Sequence, residues 1–364
     1  MQEGANASAA LHIPSLDGLR GLSFLLVFLS HARGEIFPGG FGVTVFFFLS
    51  GFLITTLMRL EYQRNGRVDL RHFWIRRALR ILPPFYLVLT GAAIWTCVAY
   101  PPGTLSLSAT MARALHFTNY WTIYHGEAGE PVGTTVYWSL AVEEHFYLLF
   151  PLLYVLLRRW RVTPRRQALI LWGLCAVTLI WRCVLFGVFD ADDAQIGRAS
   201  DTRLDSILFG CALAVFGNPV LDRPDLREKQ WKYAIVPIAV VVLIISILIP
   251  SPAYRETVRF SIQGIALTFV FVGAIRFCKW GPFRVLNWSP LAFIGVLSYS
   301  LYLMHHAVIF AVRKVYPSLG SAQQMVLELA ICLTLAWLMY VLVERPCGKL
   351  RRRLTDAAPM PRAV

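Results

Sequence analysis

Charge is what this chain is short of. Only 15% of its residues are Asp, Glu, Lys or Arg, while 57% are hydrophobic. Soluble domains carry about 25% charged and about 45–50% apolar residues, so a water-soluble globular domain is excluded. Cysteine is sparse and scattered. The seven form no Cys-x-x-Cys pair, which excludes a disulfide frame or a thiolate metal site and leaves them as small buried hydrophobes. His-Glu-x-x-His, a phosphate-cradling Gly-Lys loop and a dinucleotide glycine fingerprint are all absent, so no metal site is expected. No Lys or Arg precedes Arg20. The first apolar run therefore lacks the basic flank of a cleaved secretory signal and reads as a retained helix.

What the chain has in quantity is long apolar runs. They fall at roughly Leu16–Ala32, Gly40–Met58, Pro83–Tyr100, Val136–Leu157, Gln167–Phe189, Thr202–Phe216, Tyr233–Pro250, Val258–Phe277, Trp288–Val312 and Gln323–Val343. This pattern predicts an all-α polytopic membrane protein with about ten transmembrane helices. The first and sixth runs are short and charged, and they qualify only if their polar residues face protein or water. The net charge of +14 would suggest nucleic acid in a soluble protein. Here the basic residues cluster in alternate short loops, after runs two, four, six, eight and ten, so no nucleic-acid partner is expected. That alternation predicts both termini in the cytoplasm. Arg313 and Lys314 fall on the predicted outer side, against the trend. One domain is expected, with a core of about 14–346 and a cytoplasmic tail over 347–364 that is loose after Arg353. The loop 101–135 is long enough to cap a site.

Polar residues inside the apolar runs carry the chemistry. Arg20 and His31, in the pattern Arg-x10-His, stand close to three helical turns apart on one stripe. They are either a functional pair inside the membrane or two surface residues, the arginine snorkelling. Residues 71–82 predict a short amphipathic surface helix, with Pro83 opening the next span. On it Arg76, Arg77 and Arg80 form one cationic patch for substrate or lipid phosphates. In the fourth run Ser139, Glu143 and Tyr147 share a face and Glu144 points away. The bland alternative for Glu143 is pairing with Arg20 or Arg203. Asp201 and Asp205 share a face in the sixth run, with capping or salt-bridging as their plain reading. Tyr299, Tyr302 and His306 fall on one stripe of the ninth, with His305 beside it. Such a cluster suits proton transfer between two substrates or a proton-coupled transporter, and the residues alone do not separate these.

Taken in order, these motifs resemble the acyltransferase 3 family of integral membrane acyltransferases. They are IPSLDGLRGL with Arg20 and His31, PGGFGVTVFFFLSGFLIT, FWIRRALRILPPFY with Arg77 and Arg80, YWSLAVEEHFYLLFP with Glu143, DTRLDSILFG with Arg203 and Asp205, LSYSLYLMH with His305, and VERP. Many members have Asp where Thr44 stands and Gln where His145 stands. The resemblance implies transfer of an acyl group, usually acetyl, from cytoplasmic acyl-CoA. The acceptor would be a sugar hydroxyl of a lipid-linked or exported glycan, such as exopolysaccharide or lipopolysaccharide. It implies His31 as general base or transient acyl acceptor, Glu143 as the group that orients or protonates it, and Arg77 and Arg80 as ligands of the CoA phosphates. Arg20 is then a candidate for the oxyanion. Acyl-CoA enters as a donor substrate, and no bound cofactor is expected. The expected setting is the bacterial cytoplasmic membrane, with polysaccharide-assembly proteins as further partners. A multi-pass transporter is the rival reading.

Overall fold

Proline and glycine punctuate the first helices. The computed structural model describes residues 13–34, 36–222 and 225–356. Helix α1 (Pro14–Arg33) opens on Pro14, whose fixed φ suits a first turn. Helix α2 (Gly39–Asn65) ends where Gly66 takes a left-handed φ of 67° and returns its N–H to the Tyr62 carbonyl. Asp69 then caps α3 (Leu70–Ala99), accepting from the His72 N–H at 3.0 Å.

Helix α3 corrects one expectation. No separate surface helix precedes Pro83: the helix starts at Leu70 and runs through Pro83 and Pro84. The two prolines remove donors to the carbonyls of Leu79 and Arg80.

Two short helices, α4 (Leu107–Ala114) and α5 (Thr118–His125), follow in the loop 101–135. Then come α6 (Trp138–Arg159), α7 (Pro164–Val188), α8 (Asp193–Arg198), α9 (Ser200–Val215), α10 (Glu228–Leu248), α11 (Arg259–Arg276), α12 (Ser289–Val315) and α13 (Ser321–Arg351). No strand occurs among the described residues. Eight of these helices are long and apolar enough to cross a membrane. The chain is an all-α polytopic membrane protein. Helices α1 and α9, of 20 and 16 residues, carry the polar side chains of the first and sixth runs. Both are enclosed by neighbours, which is the condition under which such segments are stable in a bilayer. The chain stays helical to Asp356, three residues into the stretch expected to be loose. Residues 357–364, and Arg223 in the loop after the sixth run, lie outside the described residues.

Small residues let the central helices touch. A Cβ on Gly51 would meet the Ile207 carbonyl oxygen at 2.1 Å, and one on Gly210 would meet that of Phe48 at 2.0 Å. Helices α2 and α9 therefore cross backbone to backbone, as small residues allow in membranes. At the α1–α12 contact a Cβ on Gly295 would meet the Asp17 carbonyl oxygen at 1.8 Å. This contact runs α1 and α12 side by side in the same direction.

The arginines that end α2, begin α3 and end α6 gather at one end of the bundle, here called the basic end. At the far end the loop 101–135 folds around its own ion pair. Arg113 bonds Glu130 with both side chains buried. Arg113 also donates to Thr134 Oγ1 at 3.0 Å, and Thr122 and Thr135 donate to the Glu130 carboxylate. Burial lowers the Arg113 pKa to about 10, which leaves it charged at neutral pH.

Candidate active site

Five helices, α1, α2, α3, α6 and α12, surround a cavity of about 260 Å³. Arg20, Arg77 and Arg80 line it, together with Glu143 and Glu144. Ser50, Tyr147, Tyr299 and Tyr302 add hydroxyls, and Phe46, Phe47, Leu53 and Leu140 supply apolar wall. Polar groups converging in an apolar concavity are the usual form of a substrate site.

Helical spacing places the carboxylate. Glu143 and Tyr147 stand one turn apart on α6, and the Tyr147 hydroxyl donates to Glu143 Oε2 at 2.8 Å. Ser50 donates to Glu143 Oε1 at 2.9 Å. The Arg77 guanidinium lies 5.1 Å from the centre of the Tyr147 ring, a cation–π approach. Arg20 donates to Asp17 Oδ1 at 3.1 Å, one turn back on α1. Tyr302 and Ser139 share a hydrogen bond of 2.6 Å between hydroxyls. Arg77 and Arg80 line the cavity with no ion pair to a carboxylate among the described residues, which leaves them available to an anionic group.

The histidines lie beyond this cavity. His31 does not line it. Its Nδ1 stands 3.0 Å from His305 Nε2, and its ring centre 4.6 Å from that of His306. His305 is fully buried, its Nδ1 2.8 Å from the Tyr302 carbonyl oxygen. The Tyr302 ring, a wall of the cavity, has its centre 5.4 Å from that of His305. Cavity and histidines are thus joined through Tyr302. Arg313 donates to the Ala32 carbonyl at 2.7 Å and to Glu328 at 3.2 Å. It caps the end of α1 beside His31, which accounts for a cation on the predicted outer side.

Several expectations need correction. Glu143 does not orient His31; it is held by Ser50 and Tyr147, and His305 is the partner of His31. Glu144 does not point away, since it also lines the cavity. Arg76 leaves the cationic patch and pairs at 2.7 Å with Glu61, a carboxylate on the neighbouring helix α2. Asp205 takes the plain role: Arg182, buried in α7, bonds it at 2.6 Å and Ser261 at 2.6 Å. Arg203 bonds Thr44 at 3.0 Å and lies 3.7 Å from the Phe260 ring centre, away from the cavity. Tyr299 and Tyr302 share the cavity, while His306 joins the histidines.

Two partners went unread, and each left a mark. Ser50 is a hydroxyl inside the run FFFLSGF, and Arg182 is a lone charge inside IWRCVLF. His145, where the motif often has Gln, bonds Ser200 Oγ of α9 at 2.7 Å and packs against the Phe117 and Tyr120 rings, outside the cavity lining.

Comparison with known proteins places this geometry. Residues 13–343 match the family model described as an acyltransferase domain. The peptidoglycan O-acetyltransferase OatA of Listeria monocytogenes is 29% identical over 354 residues, covering 93% of this chain and 56% of that protein. An O-acetyltransferase OatA of Staphylococcus aureus is 30% identical over 357 residues, covering 93% and 57%. The chain thus spans somewhat over half the length of these relatives. No solved structure matches.

Proposed function

Because the chain belongs to the acyltransferase 3 family, we propose that it moves an acetyl group from acyl-CoA at the basic end to a glycan hydroxyl at the far end. The carrying observation is the cavity in which Arg20, Arg77 and Arg80 converge, linked through Tyr302 to the His305–His31 pair. Arg77 and Arg80 hold donor phosphates as charge-assisted hydrogen-bond partners. His31 takes the proton of the attacking hydroxyl, a step worth typically 10²–10⁴-fold, or carries the acyl group itself. Arg20, eleven residues and about 16 Å from His31 along α1, is too far to meet the thioester oxygen there and instead adds to the cationic wall that receives the donor. Both termini and the basic end lie in the cytoplasm of a bacterial cell. The acceptor is a cell-surface glycan. The name of the Listeria relative favours peptidoglycan, and exopolysaccharide or lipopolysaccharide are the other candidates, with assembly proteins as partners.

The test is transfer of labelled acetyl from acetyl-CoA to isolated glycan by the protein in liposomes, with O-acetyl content of each glycan compared in a deletion strain. His31→Ala is expected to abolish transfer at unchanged membrane levels. Wild-type transfer by that variant would remove His31 from the mechanism. Glycan crossing the bilayer without gaining acetyl would make the protein a carrier.

A further inference from the structure

An imidazole can work as a base only from the nitrogen that lacks a proton, so its tautomer matters as much as its position. Hydrogen bonds to its neighbours decide the tautomer of His31. The Tyr302 carbonyl oxygen can only accept, so His305 Nδ1, 2.8 Å away, carries a hydrogen. In neutral His305 the other nitrogen, Nε2, is then an acceptor. His31 Nδ1, 3.0 Å from it, is therefore the donor. That leaves His31 Nε2 unprotonated. The Val27 carbonyl, one turn back, is a further acceptor facing the His31 ring; no side chain among the described residues bonds Nε2, which is not one of the buried polar atoms that lack a partner.

We propose that His305 is a positioning residue: it holds His31 in the Nδ1–H tautomer and turns Nε2 toward the reacting groups. The proposal rests on the reading of His31 as the reactive imidazole. A carboxylate commonly does this work for a catalytic histidine, and Glu143 is engaged elsewhere. Here a second neutral imidazole does it. His305 is itself fixed, fully buried with Phe24 edge-on to its ring at 5.9 Å between centres. In the transfer, the hydroxyl O–H bond breaks and its proton forms a bond to His31 Nε2. The oxygen attacks the acyl carbon and the thiolate leaves with the electron pair of the C–S bond. The positive charge on His31 is shared with His305 along the N–H···N bond. The thiolate or water then takes the Nε2 proton.

Two measurements test this. Solid-state NMR of histidine-¹⁵N-labelled protein in bilayers, with His31 assigned by loss of its signals in His31→Gln, is expected to show Nδ1 protonated and Nε2 bare. His305→Leu is expected to mix the tautomers. In the transfer assay His305→Leu should lower kcat about 100-fold or more while KM for acetyl-CoA stays within about twofold. His305→Gln, whose amide oxygen can accept from His31 Nδ1–H, should recover to within about tenfold of wild type. An Nε2–H tautomer in the wild-type protein overturns the proposal whatever the activity. So does full kcat in His305→Leu. The expected tautomer in a protein that transfers no acetyl would instead sink the function and leave the His305 assignment standing.

Discussion

At the scale of single residues, neighbours in sequence have separate fates. Arg76, Arg77 and Arg80 read as one patch, yet Arg76 is tied to Glu61 while the other two line the cavity. Under the proposed function Arg80→Ala should therefore raise KM for acyl-CoA about tenfold or more, since one charge-assisted phosphate contact would be worth about 1.5–3 kcal/mol. Arg76→Ala should leave KM within about twofold, and steady-state kinetics on the two variants checks both. Asp205 is a stability residue. Removing one partner of a buried ion pair costs roughly 3–5 kcal/mol, so Asp205→Ala should lower the melting temperature sharply. Thr44 offers the converse. Arg203 bonds its hydroxyl and has no salt bridge to a carboxylate among the described residues. Thr44→Asp should raise the melting temperature by supplying that charge, and a lower one would mean the pocket cannot take the carboxylate.

At the scale of elements, periodicity made the helices legible and left their contacts unread. Apolar runs located every long helix, but α3 began 13 residues before the run it was assigned, because Pro83-Pro84 reads as a start and structurally is an interior. The stripe Glu143–Tyr147 was visible because both residues lie on one helix. The pairs Ser50–Glu143, Arg182–Asp205 and His31–His305 join residues 93, 23 and 274 positions apart, and no local pattern reports such distances. Gly51 and Gly210 look ordinary in sequence, yet each seats on a carbonyl of the other helix. Gly51→Leu should separate α2 from α9 and abolish accumulation of folded protein, read by monodispersity in detergent. Gly91, with open space where its Cβ would go, is the control, and Gly91→Ala should fold normally.

At the scale of the whole molecule, fold class and basic-end geography were open to reading from composition and loop charge. The route from cavity to histidines was not, because it depends on how five helices meet. The far end carries a pH dependence of its own. Glu256, outside the spanning helices, has its carboxyl pushed up to about 7 by burial and then by Asp193. A raised carboxyl pKa means the folded protein binds more protons than the unfolded chain between about 4.5 and about 7. Its contribution is full below that window and lost as pH rises through it. The melting temperature should fall between pH 5 and pH 7.5, and Glu256→Gln should flatten that component.

Tyr302 has a consequence for the cell as a whole. Its ring closes the arginine-lined chamber on one side, and a fully buried imidazole backs it on the other. Transfer needs that ring to move aside so that the acyl carbon and the hydroxyl meet, and with the ring in place ions are refused. Liposomes bearing the protein should hold a potassium gradient as tightly as empty ones, so that under the proposed function no membrane voltage is spent on the transfer.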